Sequence, residues 1–339
     1  MRVLVTGAAG FIGSHLSVRL LQRGDDVVAL DSFDPFYAPA LKEHNVAIAL
    51  EVARAQGRTF RLVRGDIRDP AAVADAFGAG AEAVDAVVHL AARAGVRPSI
   101  REPALYQSVN VEGTAVLLEA ARLRGVKPFV FASSSSVYGA NEKVPFSEGD
   151  PVDHPVSPYA ATKKAGELLT YTWTHLYGMN IPCLRFFTVY GPRQRPEMAI
   201  HLFARAIWDG TPLAIFGDGS TERDYTYIDD IIDGVVASLD KACREPAGWH
   251  RVYNLGESRR VRLSELVALL EKHLHKRAVL RREPNQPGDV PLTYADVSRA
   301  RAELAYAPRV DIDDGLRRFV EWFVAERQRV GEKHTGEKR

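Results

Sequence analysis

The stretch Gly7-Ala-Ala-Gly10-Phe-Ile-Gly13 decides how this chain must be read. Before it, Arg2-Val-Leu-Val-Thr6 has the apolar run of a short buried strand. After it, Ile12, Leu16 and Leu20 recur on one face of a helix running from Phe11 to about Gln22. A strand, a glycine loop and a helix in that order make a phosphate cradle. Glycine allows the tight turn and the close approach of backbone, and the helix N-terminus favours negative charge. Gly7, Gly10, Phe11, Ile12 and Gly13 are therefore the first candidate cofactor contacts.

The pattern continues outward from that loop. Arg23-Gly24 stops the helix, and Val27–Asp31 is a second strand. Asp31 ends it at the distance where an acid hydrogen-bonds an adenosine ribose, and its charge would repel a 2′-phosphate, so NAD is expected rather than NADP. Further strands fit Phe60–Val63, Ala86–Leu90, Phe129–Ser133 and Pro182–Phe187, with helices notably over 103–123 and 158–177. Strands alternating with helices predict an α/β fold, a Rossmann-type doubly wound parallel sheet. Gly65-Asp66-Ile67, after the third strand, either meets the adenine through Asp66 and Ile67 or is a simple turn. Leu90, Ala91 and Ala92 follow the fourth strand, where small residues let a dinucleotide pass close to the backbone.

After about residue 190 the alternation weakens, which predicts a smaller α/β C-terminal substrate lobe. The expected organisation is an NAD-binding domain over 1–180, regaining part of 226–255, a substrate-binding lobe over 181–330, and a disordered tail over 331–339. Helices are expected at 198–209, 229–242, 263–275 and 312–328, with a strand at Leu213–Phe216. The last helix places Leu316, Phe319, Val320, Phe323 and Val324 on one stripe.

Composition excludes several classes of function. A hydrophobic fraction of 46% and a charged fraction of 26% are those of an ordinary soluble globular protein. A net charge of +1 gives no bulk attraction to nucleic acid or to a membrane surface. No apolar run approaches the ~18 residues that a spanning helix needs. Two cysteines, Cys183 and Cys243, are too few for a disulfide framework or a zinc cluster, so no metal is expected and a cytoplasmic setting is. His89, on an apolar strand, reads as a satisfied core histidine, and Cys183 as a small buried hydrophobe.

The chemistry is carried by Tyr159-Ala-Ala-Thr-Lys163 and by the serines at 133–136. Residues four apart share a helix face, so Lys163 can sit beside Tyr159. A free phenol titrates near ~10 and is a poor base at neutral pH; a nearby cation favours its charged form. Taken together, the glycine loop, the serine cluster after a strand and the Tyr-x-x-x-Lys pair resemble the extended short-chain dehydrogenase/reductase family. Ser133-Ser-Ser-Ser-Val-Tyr-Gly139, Ser157-Pro-Tyr159 and Arg223-Asp-Tyr-Thr-Tyr-Ile-Asp-Asp230 are similar to its nucleotide-sugar 4-epimerases. Arg185-Phe-Phe-Thr-Val-Tyr-Gly-Pro-Arg-Gln-Arg-Pro-Glu-Met198, with Gln286-Pro-Gly-Asp289 and Tyr294-Ala-Asp296, is similar to the UDP-glucuronate 4-epimerase group.

That resemblance implies tightly bound NAD, a UDP-sugar substrate and C4 epimerisation through a transient 4-keto intermediate without decarboxylation. It makes Tyr159 the base, Lys163 the ligand of the nicotinamide ribose, and Ser134 or Ser136 the hydroxyl bridging O4 to Tyr159. Ser133 and Ser135 would only satisfy backbone groups. Thr188 and Arg195 would hold the sugar carboxylate, whose grip matters because a β-keto acid loses carbon dioxide. Arg223 would face the diphosphate, Asp289 the uridine ribose and Met198 the uracil or the core. Asn110 resembles the family's structural Asn. Arg93 is either a substrate contact or a solvated surface charge, and Arg193 a phosphate contact or a surface residue. A homodimer through helices 103–123 and 158–177 is implied, with Leu105, Val109, Leu117 and Leu118 as candidate interface. The alternatives are UDP-glucose 4-epimerase, a UDP-glucuronate decarboxylase of the same fold, and an NAD-sensing regulator without turnover.

Overall fold

The computed structural model describes residues 1–284 and 292–336, with 330–336 as backbone only. The first half alternates strand and helix. In order come β1 (Arg2–Thr6), α1 (Phe11–Arg23), β2 (Asp26–Asp31), α2 (Pro39–Gln56), β3 (Phe60–Arg64), α3 (Pro70–Phe77), β4 (Ala86–His89), α4 (Val96–Arg101) and α5 (Pro103–Gln107). A π turn at Ser108–Glu112 joins α5 to α6 (Gly113–Leu123), so the predicted helix 103–123 carries a bulge. Then follow β5 (Phe129–Ser134), α7 (Pro158–Tyr177) and β6 (Ile181–Phe186).

Seven parallel strands form the central sheet in the order β11-β6-β5-β4-β1-β2-β3, in which β11 is His250–Leu255. The order reverses between β1 and β4, so the crevice outside the carboxyl ends of those strands is the binding position of this architecture. Because helices cover both faces, the inner strands β1, β4 and β5 are buried almost throughout, whereas the edge strands β3 and β11 carry exposed charged residues. Val3 and Val5 face one buried cluster with Leu16 and Leu20 of α1, and Leu4 faces the other with Leu117 and Leu118 of α6.

Strand β6, which follows the boundary expected at 180, lies within the central sheet between β5 and β11. The reason is its composition: Ile181, Cys183 and Leu184 are fully buried among strands on both sides. The rest of the chain supplies β7 (Thr188–Tyr190), α8 (Ala199–Asp209), β8 (Pro212–Phe216), β9 (Glu222–Arg223), β10 (Tyr225–Tyr227) and α9 (Ile228–Arg244) before β11. After it come β12 (Val261–Arg262), α10 (Leu263–Leu274), β13 (Val279–Glu283), α11 (Ser298–Leu304) and α12 (Ile312–Gly336). Here the strands form only two-stranded pieces, β10 with β7, β12 with β9 and β13 with β8. Strand β8 matches the strand expected at Leu213–Phe216, whereas β7, β9, β10 and β12 are only two or three residues long, too short to leave a strand signal in the sequence.

Helix α12 buries Leu316, Phe319, Val320 and Phe323 as its stripe predicts. It runs to Gly336, past the expected end at 328 and into the segment expected to be disordered. No proline interrupts that stretch, and its Glu, Arg and Lys residues are good helix formers; residues 337–339 lie outside the described part.

Gly13 shows how tightly the glycine loop is built. A Cβ there would lie 2.1 Å from the Gly7 carbonyl oxygen and 2.8 Å from the Ala8 Cα. Both are backbone, so nothing can swing aside. Gly13→Ala is expected to cost about 1–3 kcal/mol, as overpacking does, and to lower NAD content on purification. A melting curve and a cofactor assay unchanged from the parent would contradict this close packing.

Candidate active site

A cavity of about 390 Å3 opens at the switch point of the sheet. Gly7, Gly10, Phe11, Ile12, Gly13, Asp31, Asp66, Ile67, Leu90, Ala91, Ala92, Ser134, Ser136, Tyr159, Lys163, Thr188, Arg195 and Met198 all line it. The sheet thus brings together nearly every candidate that the sequence named, from eight separate loops and elements.

At one end the glycine loop opens α1. Gly10 caps that helix without a side-chain hydrogen bond, and no acid stands in its first turn. The first amides of a helix have no intrahelical acceptor, so Phe11, Ile12 and Gly13 present donors and a positive dipole end. Gly7 has φ of +68°, and a Cβ there would meet the Ala91 amide nitrogen at 2.9 Å. Glycine there lets the loop after β1 pack directly on the Leu90–Ala92 turn, and the free amides at the start of α1 fit the pyrophosphate of NAD.

Asp31 is buried, accepting from the Ala9 amide at 3.0 Å and the Phe33 amide at 2.8 Å. Lys42 of α2 stands 3.6 Å from it, also buried. Asp66 is gripped by Arg68, whose guanidinium hydrogen bonds hold that carboxyl below its ordinary range. Lys42, Tyr37 and Phe36 are cavity residues that sequence reading missed. They belong to the β2–α2 connection and the start of α2, whose length and composition carry no motif.

At the other end stand the reacting groups. Ser157 caps α7 by accepting the Ala160 amide at 3.1 Å, and Pro158 takes the first helical position. That start places Tyr159 in the first turn and Lys163 one turn later on the same side. Lys163 donates to the Ala132 carbonyl at 2.7 Å, with its Nζ 6.0 Å from the Tyr159 ring centre. Burial draws the Lys163 ammonium down to about 8. Burial also raises the Tyr159 phenol, and a hydrogen bond with Ser134 and the charge of Arg195 oppose that rise. Arg195 is thus a second cation that acts on Tyr159, beside Lys163 one helical turn along.

Ser134 donates to Ser136 at 3.1 Å and accepts the Ser136 amide at 3.2 Å. Of the two hydroxyls, Ser134 is the one bonded to Tyr159. Ser133 has a different task from the one expected. It donates to Glu167 at 2.7 Å, and Glu167 accepts two hydrogen bonds from the buried Arg185 at 2.8 and 2.9 Å. This buried group ties β5, α7 and β6 together directly beneath the reacting residues.

Arg195 and Thr188 both line the cavity, the Arg195 Nε paired to Glu197 at 2.7 Å and one Nη 3.4 Å from the Met198 sulfur. Phe36 lies between two guanidinium groups, 4.9 Å from Arg93 and 6.0 Å from Arg195. Arg93 is no solvated charge: it is largely buried and paired with Asp34 at 2.6 Å and Glu102 at 3.2 Å. Arg193 is half-buried, its Nε directed at His15. Arg223 sits on β9, with an Nη donating to the Glu222 carbonyl, and is not part of the cavity lining. Asp289 lies outside the described residues.

The sequence pattern of the NAD dependent epimerase/dehydratase family matches residues 3–256. UDP-glucuronate 4-epimerase 1 of Arabidopsis thaliana is 45% identical over 337 residues, covering 95% of this chain and 76% of the plant protein. The UDP-glucuronic acid 4-epimerase of Bacillus cereus, solved with UDP-glucuronic acid and NAD, superposes with a TM-score of 0.85 at 37% identity, covering 95% of this chain and 98% of that one. A UDP-glucose 4-epimerase from Thermotoga maritima, solved with UDP-glucose, superposes almost as well, with a TM-score of 0.84 at 31% identity over 96% and 99% of the two chains. The fold is therefore common to enzymes of different sugars. With a glycine loop under one end of the cavity and the Ser134, Tyr159 and Lys163 group at the other, the chain belongs to the NAD dependent epimerase/dehydratase family.

Proposed function

We infer that the protein is a UDP-glucuronate 4-epimerase that works with bound NAD and converts UDP-glucuronate to UDP-galacturonate. The observation that carries this choice of sugar is Arg195, a cation on the wall of the same cavity as Tyr159 and Thr188. A neutral hexose has no use for a guanidinium at that place. A uronate presents a carboxylate there, and the planar guanidinium matches it bidentately.

NAD, when bound, supplies the acceptor and later the donor for the C4 hydride. Tyr159 takes the O4 proton, with Ser134 holding the hydroxyl in line. Lys163, anchored by the Ala132 carbonyl, places a positive charge at the nicotinamide ribose. The 4-keto sugar then turns within the cavity and Tyr159 returns the proton on reduction of the other face. Throughout, Arg195 and Thr188 keep the carboxylate from aligning its breaking bond with the C4 carbonyl, which retains carbon dioxide. Because Glu197 occupies Nε of Arg195, the incoming carboxylate meets the Nη edge. The nucleotide extends past Met198 toward Arg223.

The first test is product analysis after incubation with UDP-glucuronate and NAD. A product of unchanged mass that co-elutes with UDP-galacturonate is expected. Loss of the mass of carbon dioxide would point instead to a decarboxylase, and conversion of UDP-glucose alone to the neutral-sugar epimerase.

The enzyme acts as a cytoplasmic homodimer in this reading. Both cysteines are unpaired, Cys183 buried and Cys243 exposed, and no helix among the described residues is long and apolar enough to cross a membrane. Of the expected interface residues, Leu117 and Leu118 are fully buried against the sheet. The exposed apolar surface lies instead on α7, with Leu168 at 58%, Tyr171 at 58% and Leu176 at 59% exposure, next to Leu123 of α6 at 65%. Light scattering at micromolar concentration should give twice the 37.4 kDa chain mass. A monomer would refute the pairing.

A further inference from the structure

His89 is the C-terminal residue of β4, fully enclosed, and in register with Thr6 of β1. Both side chains project to the face of the sheet covered by α6. The sequence reading leaves His89 as a core residue with no task. Its hydrogen bonds describe something more specific.

The Ala91 amide donates to Thr6 Oγ1 at 3.2 Å, and Thr6 Oγ1 lies 2.7 Å from His89 Nδ1. On the far side of the ring, His89 Nε2 lies 2.9 Å from Thr114 Oγ1, and that hydroxyl donates to the Asn110 carbonyl at 2.6 Å. A hydroxyl has one proton to give. Thr114 has given it to a carbonyl, so His89 Nε2 must be the donor between them. Burial, with the charge of Lys163 added, keeps the imidazole neutral by drawing it down to about 3. A neutral ring that is protonated at Nε2 has a bare Nδ1, which must accept the Thr6 proton. The tautomer is settled by its neighbours.

The chain continues beyond Asn110. Its side chain accepts the Arg93 amide at 2.8 Å, and donates to the Arg93 carbonyl at 3.0 Å and to Thr162 Oγ1 at 3.0 Å. Thr162 in turn donates to the carbonyl of Tyr159 at 2.8 Å. Hydrogen bonds, joined through the covalent frame of Asn110, therefore link the Leu90–Ala92 turn, which lines the cavity, to the backbone of Tyr159.

We propose that His89 is a two-ended positioning residue: Nδ1 sets the cofactor-facing turn through Thr6, and Nε2 sets Asn110 and the start of α7 through Thr114. The proposal rests on the reading of Tyr159 as the base, since that is what the second end positions. It touches neither cofactor nor sugar. An unpaired buried donor or acceptor costs about tenfold or more in whatever equilibrium it supports, so the two ends should fail separately.

Asn places its amide oxygen where Nδ1 lies, and Gln its amide nitrogen where Nε2 lies. His89→Asn keeps the acceptor for Thr6 and loses the donor to Thr114. It should hold NAD like the parent and turn over about tenfold more slowly. His89→Gln keeps the far donor. It should lose NAD about tenfold faster, measured against an NAD-consuming trap, while kcat at saturating NAD stays near the parent value. Nitrogen-15 NMR of the histidine-labelled holoenzyme should show His89 as the Nε2–H tautomer from pH 6 to 9.

An Nδ1–H tautomer would overturn the proposal. So would Asn and Gln variants that match the parent in both readouts, or that lose NAD retention, turnover and melting temperature in parallel. The tautomer and NAD measurements need no sugar. A protein that passes both and leaves UDP-glucuronate untouched would therefore sink the substrate reading and leave the cofactor-facing end of the His89 proposal standing.

Discussion

Tyr159→Phe will keep NAD and lose at least ~10²-fold in turnover, the effect of removing a general base. The variant retains the ring and its packing, including the edge-on contact with Tyr106 at 6.2 Å between centres. Only the phenol oxygen goes, so folding and cofactor content should be unchanged. No neighbour is placed to take over. Ser134 is engaged with Ser136, and Lys163 is turned to the Ala132 carbonyl. The pH profile gives a second readout. Burial raises the Tyr159 phenol above its ordinary value, so the basic form grows as pH rises, and kcat/KM of the parent should climb with pH through neutrality. The small residual rate of the Phe variant should lack that limb. Product formation near the parent rate, measured by chromatography, would overturn the assignment of the base.

Arg195→Gln is expected to lower kcat/KM for UDP-glucuronate by about 10²-fold. Hydrogen bonds to a charged group contribute about 1.5–3 kcal/mol, and each 1.4 kcal/mol is tenfold. Two consequences separate this residue from a merely structural one. First, part of the 4-keto sugar should now escape as a decarboxylated product, detectable as carbon dioxide and a UDP-pentose, because the carboxylate is no longer held. Second, removing the positive charge that opposes the rise of Tyr159 should move the climbing limb of the pH profile to higher pH. UDP-glucose, if turned over at all, should show the second effect and not the first. A variant with parent-like kcat/KM for UDP-glucuronate would reduce Arg195 to the partner of Glu197 that it is in the present structure.

Reading Arg195 correctly required more than its motif. Arg193 and Arg195 are two residues apart in one loop and carry the same side chain. Arg193 packs inward on His15 with a left-handed backbone, φ +64°, and Arg195 faces the cavity. Similarly, Arg93 was open between surface and substrate; the connection after β2 decides it by bringing Asp34 and Phe36 across. Ser133 and Ser134 are neighbours on one strand, and strand geometry sends them to opposite faces. One reaches Glu167 and the other Tyr159.

From sequence alone, the alternation of strands and helices, the glycine loop, the acid at the end of β2 and the Tyr159–Lys163 pair were legible, because each depends on interactions within one turn, one strand or one helix. Periodicity and spacing record such local geometry directly. The approach of Arg195 to Tyr159, the separate partners of Ser133 and Ser134, the tautomer of His89 and the place of β6 in the sheet were decided only by the tertiary structure. Each of these depends on which chain segments the sheet order places side by side at the switch point. That order arises from burying both faces of the strands at once, a condition on the whole chain that no single stretch of residues expresses.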